Sequence, residues 1–319
     1  MIKGRLVLID AFALIFRAYY ALPPLTNKKG AQLNAAYGFT SALLAAIKEL
    51  EPEYLVCGFD LPKPTKRHKE FVEYKAHRAP MPEDLMIQVP YVKEVLKTMN
   101  IPTYAVEGYE GEDIIATIVA KCKMQNSKIK MTNQNVKMEY IIVTGDLDCL
   151  QLVDDETKVY SMARGRRPEG ALPGGVNQAM MYDEEKVQER YGLSPKQFVD
   201  FKALKGDASD NIPGVPGIGE KTAAKLVIEF GNLEKIYNNL PKISEKLHTL
   251  LKENKEQAFL SQKLSKIVDD VELEFNLSVA KVHDYNQQKV IRLFEEYGFR
   301  SLIKRLPNSS RKNSQQKLL

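Results

Sequence analysis

Between Gly108 and Thr117 the chain reads GYEGEDIIAT, with Glu110, Glu112 and Asp113 crowded into four positions ahead of an apolar run of helical spacing. Carboxylates this close raise one another's pKa, so they need either a cation among them or open water. Other acids recur in one kind of place. Asp10 ends the apolar run RLVLID (5–10), Asp60 ends YLVCGFD (54–60), and Asp146 and Asp148 follow the run in EYIIVTGDLD (139–148). One acid behind a strand is ordinarily a cap or turn residue. Acids behind several strands are different, because a parallel sheet gathers its carboxyl ends at one edge, where ligands bind. Such a cluster calls for hard divalent ions with oxygen ligands, Mg²⁺ first among them. Two such ions hydrolyse phosphodiesters by activating a water and stabilising the leaving oxygen. No His or Cys stands at these positions, which argues against zinc. GDASDN adds Asp207 and Asp210, read either as an Asx-turn and cap or as the completion of a second metal site.

The elements that must carry these acids follow from hydrophobic spacing. RLVLID, YLVCGFD, IPTYAV (101–106) and EYIIVTGDLD read as strands. Residues 35–50 and the face formed by Ile114, Ile115, Ile118, Val119 and Cys122 read as helices, and 81–100 as a helix broken or kinked near Pro90. Alternating strands and helices predict a parallel α/β sheet. Beyond about residue 182 the chain becomes helical with short Gly/Pro turns. Residues 124–138 and 163–178 read as loops, the latter containing the basic ARGRR, and 307–319 as a polar, basic tail.

Two basic features accompany the acids. GVPGIGEKT (214–222) lacks the spacing of a phosphate-binding Walker loop. It reads instead as a helix–hairpin–helix turn, in which Gly214, Gly217 and Gly219 let backbone N–H groups approach a phosphate at a helix N-terminus. Thr222 lies in the same turn, and Lys221 and Lys225, four apart, add charge on one face. The plain alternative is a Gly-capped turn in a helical bundle. Residues 63–78 hold six Lys/Arg against two Glu, among them Lys66, Arg67, Lys75 and Arg78, interleaved with Phe71 and Tyr74. They read either as a solvated helix or as a clamp on a single strand, with aromatics stacking on bases. Lys75 or Arg78 is placed to neutralise charge on a scissile phosphate, and Arg17, one or two turns beyond Asp10, to hold one.

Composition excludes some classes. No apolar run approaches the roughly 18 residues of a membrane span, and MIKGRLVLIDAF reads as a first strand rather than a signal peptide. Cys57, Cys122 and Cys149 are odd in number and far apart, which suits a reducing cytosol and no metal site. The net charge of +5 is only mildly basic and does not by itself imply nucleic acid.

Taken together, LIDAFALIFRAYYALPPLTN, FVEYKAHRAPMPEDL, GYEGEDIIAT, IVTGDLDCLQLV and GDASDNIPGVPGIGEKTA resemble the 5′-nuclease (5′-3′ exonuclease) domain of bacterial DNA polymerase I and the related flap endonucleases, over residues 3–306. The resemblance implies an α/β, PIN-like 5′-nuclease fold with a mostly parallel central sheet. The catalytic domain would occupy 1–182 with a helical arch at about 61–89. A helical DNA-binding region would occupy 183–306, its helix–hairpin–helix at about 207–230. It implies Mg²⁺- or Mn²⁺-dependent cleavage of DNA at 5′ flaps, nicks and 5′ ends, RNA primer strands included, by a cytoplasmic monomer. It places metal ligands at Asp10, Asp60, Glu110, Glu112, Asp113, Asp146, Asp148, Asp207 and Asp210, arch residues at Tyr74, Lys75 and Arg78, a phosphate contact at Arg17, and a K⁺ ion at the hairpin. FEEYGFRSLIKRLP resembles the end of the domain in full-length polymerases, so no polymerase activity is expected here. One departure stands out: Glu-Gly-Glu-Asp replaces the usual Glu-Ala-Asp-Asp, lengthening one ligand, with Gly111 as the source of compensating backbone freedom. The alternatives are a junction-binding module of the same fold that no longer cuts, and an RNA-cleaving PIN nuclease, which would lack the hairpin.

Overall fold

The computed structural model describes residues 2–130, 136–162 and 179–307. The ARGRR segment and residues 308–319 lie outside them. Strand β1 (Ile2–Asp10) leads into α1 (Ala11–Ala21) and α2 (Asn34–Leu50), then β2 (Tyr54–Gly58). After the short helices α3 (Lys66–Glu70) and α4 (Glu83–Met86) come α5 (Val89–Thr98), β3 (Thr103–Tyr104) and α6 (Gly111–Lys130). Strand β4 (Val136–Thr144), a 3-10 turn (Leu147–Leu152), β5 (Thr157–Ser161) and β6 (Met180–Tyr182) complete the sheet. The order is β3-β2-β1-β4-β5-β6, parallel except for β6. This order reverses between β1 and β4, so a crevice opens beyond their carboxyl ends. Leu6 to Ile9 are an unbroken apolar run because both faces of the sheet are covered. Val7 and Ile9 pack under α1, α2 and α5, while Leu6 and Leu8 pack under α6.

Helices α7 (Glu184–Tyr191), α8 (Phe198–Lys205), α9 (Glu220–Phe230), α10 (Leu233–Asn238), α11 (Glu245–Glu253) and α12 (Lys255–Ser265) follow. Residues 193–258 build their own core around Leu204, Ile218, Val227 and Leu251. The expected second unit, 183–306, does not stay together. Ile267, Val271 and Ala280 return to the α6 face of the sheet, and α13 (Gln287–Tyr297) and α14 (Arg300–Ile303) pack on the α2–α5 face through Phe294, Phe299 and Leu302.

Three local expectations change. Pro90 opens α5 at its second position, where a missing N–H costs nothing, and the break falls just before it. The loop expected at 124–138 shrinks, because α6 runs on to Lys130 and β4 begins at Val136. The arch region is mostly turns rather than helix, with only α3 and α4 regular.

Gly206 and Gly214 cross back to back. Both have left-handed φ (78° and 64°), and a Cβ on Gly214 would sit 2.3 Å from the Gly206 nitrogen. Gly214→Ala is therefore expected to destabilise the protein by about 1–3 kcal/mol through strain and overpacking. Urea denaturation followed by circular dichroism checks this, and an unchanged midpoint would contradict the crossing.

Candidate active site

The carboxyl ends of the strands deliver the acids into the crevice. Asp10 caps α1, accepting from Ala13 N–H at 3.1 Å, and also accepts from the Thr144 hydroxyl at 2.8 Å. Thr144 in turn accepts from Asp146 N–H at 2.9 Å, which ties the ends of β1 and β4 together. Asp146 caps the 3-10 turn that carries Asp148, accepting from its N–H at 2.9 Å. Asp60, two residues beyond β2, accepts from Gly111 N–H at 2.5 Å, the first N–H of α6. A Cβ on Gly58 would meet the Gly111 carbonyl at 2.8 Å, so β2 and α6 meet through bare backbone. Gly111 does not have a positive φ. Its contribution is a close donor to Asp60 rather than freedom for Glu112.

Asp10, Asp60, Glu110, Glu112 and Asp146 line one cavity of about 140 Å³ together with Phe12, Phe16, Lys75 and Arg78. Asp146 also lines a larger cleft of about 790 Å³ with Asp148, Asp207, Arg17, Lys202 and Lys205. Asp146 is thus the one acid that lines both the acidic cavity and the larger, mixed-charge cleft. Burial first, and then Asp60 and Asp146, push Asp10 up to about 7. Burial and Asp146 push Asp148 up to about 7 against the pull of Lys202. Burial also raises Asp60, and Glu112 well above the usual range, the latter against the guanidinium of Arg67. Such carboxylates favour a bound cation, because it restores the charged form that burial penalises.

The protein's own cations stand in part of that place. Lys75 Nζ lies 2.7 Å from Glu110 Oε2 and 3.6 Å from Asp210 Oδ2. Burial opposes the Lys75 ammonium, but Glu110, Asp210 and Glu112 outweigh it and raise its pKa. Lys202 bridges Asp148 and Asp207, 2.5 Å from the latter. Burial would raise Asp207, yet Lys202 holds it down at about 2. Arg78 donates to Asp210 Oδ1 at 2.5 Å. With the acids drawn to these partners, no three Asp, Glu, His or Cys side chains among the described residues converge tightly enough to hold a metal ion. The expected ligand set is a lined crevice rather than a closed cage. Its donors are all carboxylate oxygens and two ammonium groups bridge acid pairs within it, so it fits hard divalent ions.

Several expected residues have other positions. Asp113 is 1% exposed, and both its oxygens are held at 2.8 Å by Arg67. It lines neither cavity, and the same guanidinium stands 3.6 Å from Glu110 and from Glu112. Arg67, expected on DNA, is 8% exposed with its donors satisfied inside the protein. Tyr74, expected to stack on bases, is 2% exposed, its hydroxyl 3.0 Å from Asp210 and 3.3 Å from Glu110. Gly214 is buried, its N–H donating to the Ser261 hydroxyl and its carbonyl accepting from the Gln257 amide. Of the expected hairpin set, Gly217, Gly219, Lys221 and Lys225 are exposed and Thr222 is half-buried. Gly219 caps α9 with no side chain and open space around it, which leaves the first N–H groups of that helix accessible. Lys66 is exposed, stacked over the Tyr109 ring at 4.3 Å.

Lys202 and Thr144 were absent from the sequence reading. Lys202 carried a signal: it lies four residues after Phe198, on the apolar face of α8. A lysine on a buried face needs an acid, and Asp207 stands five residues on. Thr144 carried none, since a threonine at a strand end is unremarkable in sequence.

A parallel sheet whose carboxyl ends present acids to a crevice beside a helical hairpin module defines a class of nucleases. Residues 5–192 match the family described as 5′-3′ exonuclease, N-terminal resolvase-like domain, and residues 193–288 match 5′-3′ exonuclease, C-terminal SAM fold. The chain belongs to the 5′-3′ exonuclease family and is a nuclease. It is 38% identical to DNA polymerase I of Caldicellulosiruptor bescii over 304 residues, covering 95% of this chain and 33% of that protein. It is 37% identical to DNA polymerase I of Bacillus subtilis over 318 residues, covering 99% of this chain and 34% of that protein. The chain spans about a third of the length of these curated relatives. The fold resembles the T5 D15 protein co-crystallised with metal ions (TM-score 0.65, 21% identity, covering 92% of this chain and 99% of that one). It also resembles the catalytic core of Rad2 in complex with DNA substrate (TM-score 0.54, 16% identity, covering 95% and 93%). Among the described residues no helix is long and apolar enough to cross a membrane.

Proposed function

We propose that this nuclease hydrolyses DNA phosphodiesters at 5′ flaps, nicks and 5′ ends, using two or more Mg²⁺ or Mn²⁺ ions held by Asp10, Asp60, Glu110, Glu112, Asp146, Asp148 and Asp207. The observation that carries this reading is the five-acid cavity that shares Asp146 with a larger cleft lined by three acids and three cations. When bound, the ions supply a nucleophilic hydroxide at neutral pH and neutralise charge on the leaving oxygen. The protein's residues do the rest. Gly217, Gly219 and the α9 N-terminus receive a duplex phosphate, and Lys221 and Lys225 add charge without reading sequence. Arg17, Lys202 and Lys205 line the larger cleft along which the backbone reaches the acids. Lys75 and Arg78 face the smaller chamber and stabilise the charge that develops on the phosphate. The same proposal includes a K⁺ ion at the hairpin carbonyls and RNA primer strands among the substrates. The three free cysteines are buried, as a monomer in a reducing cytoplasm allows.

Cleavage of a flap-labelled 5′-flap duplex with Mg²⁺, with Mn²⁺ and with EDTA tests the proposal. Cutting at or near the junction is expected with either metal and not with EDTA, and faster cutting with Mn²⁺ would reflect the longer Glu112 arm. Cutting that persists in EDTA would sink the metal assignment. Tight binding without cutting in either metal would establish the junction-binding module instead.

A further inference from the structure

The loop behind α12 is stitched to both acid-bearing elements by Arg67, Asp113 and Gln151, none of which lines either cavity, although Arg67 also stands 3.6 Å from Glu110 and Glu112. Arg67 Nε donates to the Leu264 carbonyl at 3.0 Å and Nη2 to the Lys266 carbonyl at 2.9 Å. The same guanidinium grips Asp113 through two bonds of 2.8 Å. Asp113 then accepts from Glu110 N–H at 3.0 Å and from Val268 N–H at 2.8 Å. On the other side, Gln151 donates to the carbonyls of Asp148 and Ser265 and accepts from Ile267 N–H at 2.9 Å. At its other end α12 holds the hairpin turn, with Ser261 accepting from Gly214 N–H at 3.0 Å and Gln257 donating to the Gly214 carbonyl at 2.7 Å. A small apolar cluster of Tyr74, Ile212 and Leu264 joins the arch, the hairpin and α12 beside this chain of bonds.

We infer that Arg67 is a positioning residue through which the hairpin's hold on duplex DNA sets the geometry of Glu110, Glu112 and the base of the arch. The inference rests on the nuclease reading above. Arginine suits the role because four donations in one plane hold two carbonyls and a carboxylate at once. A lysine keeps the charge and loses that fork. Coupling then runs from Gly214 along α12 to Arg67, and from Arg67 to the first turn of α6.

Two 5′-flap substrates that differ only in duplex length, one reaching the hairpin and one ending short of it, test the inference in single turnover at saturating protein with Mg²⁺. The wild type is expected to cut the longer one faster by about 10-fold, within the usual range for coupled sites. In Arg67→Lys the ratio is expected to fall to within about twofold, with the long-duplex rate dropping to the short-duplex rate. An unchanged ratio in Arg67→Lys, or equal rates in the wild type, overturns the inference. If Arg67→Lys fails to fold, Gln257→Ala carries the test at the hairpin end. A collapsed ratio there supports the inference and a preserved ratio overturns it. A wild type that cuts neither substrate overturns the nuclease reading itself.

Discussion

Asp146→Ala is expected to lower single-turnover cleavage of a 5′-flap duplex by three orders of magnitude or more, about 4 kcal/mol on the barrier. Asp146 lines both chambers, so its loss removes an oxygen donor from each. It also frees the Asp148 N–H that it accepts, loosening the 3-10 turn that carries the next acid. Loss of any other acid leaves one chamber intact and should cost less. Affinity for the duplex is expected to hold or to rise slightly, because a negative charge leaves a site that faces phosphates. Rapid-quench cleavage and filter binding on the same substrate check both halves. Cleavage within tenfold of wild type would remove Asp146 from the centre of the site. Parallel losses of binding and cleavage would show a damaged fold.

Lys75→Met is expected to lower the rate at saturating substrate by about 10²–10³, the loss seen when one aimed donor to developing charge is removed. Lys75 has φ of 54°, a left-handed conformation that side chains adopt at a cost. The surrounding structure holds it there. Its N–H donates to the Asp210 carbonyl at 2.9 Å, and the buried hydroxyl of the neighbouring Tyr74 donates to the carboxylate of the same Asp210 at 3.0 Å. The ammonium compensates Glu110. A divalent ion held by Glu110 would take over that compensation and would leave Lys75 free to neutralise charge on a phosphate. Methionine keeps the length and removes the charge. A rise in KM alone, with kcat unchanged, would mean that Lys75 only attracts DNA. A fall in kcat places it beside the reacting phosphate.

The acids at the strand ends were legible before the fold, because a parallel α/β pattern puts every strand's carboxyl end on one edge. RLVLID, YLVCGFD and EYIIVTGDLD announced β1, β2 and β4 through apolar runs that only a doubly covered sheet tolerates. The partner of each acid was not legible. Asp113 stands in the same motif as Glu110 and Glu112, yet it is Asp113 that takes both 2.8 Å bonds of Arg67, from a segment 46 residues away, while the other two acids stand 3.6 Å from the same guanidinium. Arg67 sits in a run of basic residues that reads as a solvated helix or a strand clamp, with nothing in the spacing to single it out for burial. The turn after Thr65 buries it while leaving Lys66 and Lys69 exposed. Local pattern therefore determined the sheet, its order of acids and the hairpin turn, since these depend on residues close in sequence. Tertiary structure alone decided which charges meet, which glycines cross backbones and which arginine is a buried strut, because those outcomes depend on long-range packing that no local spacing encodes.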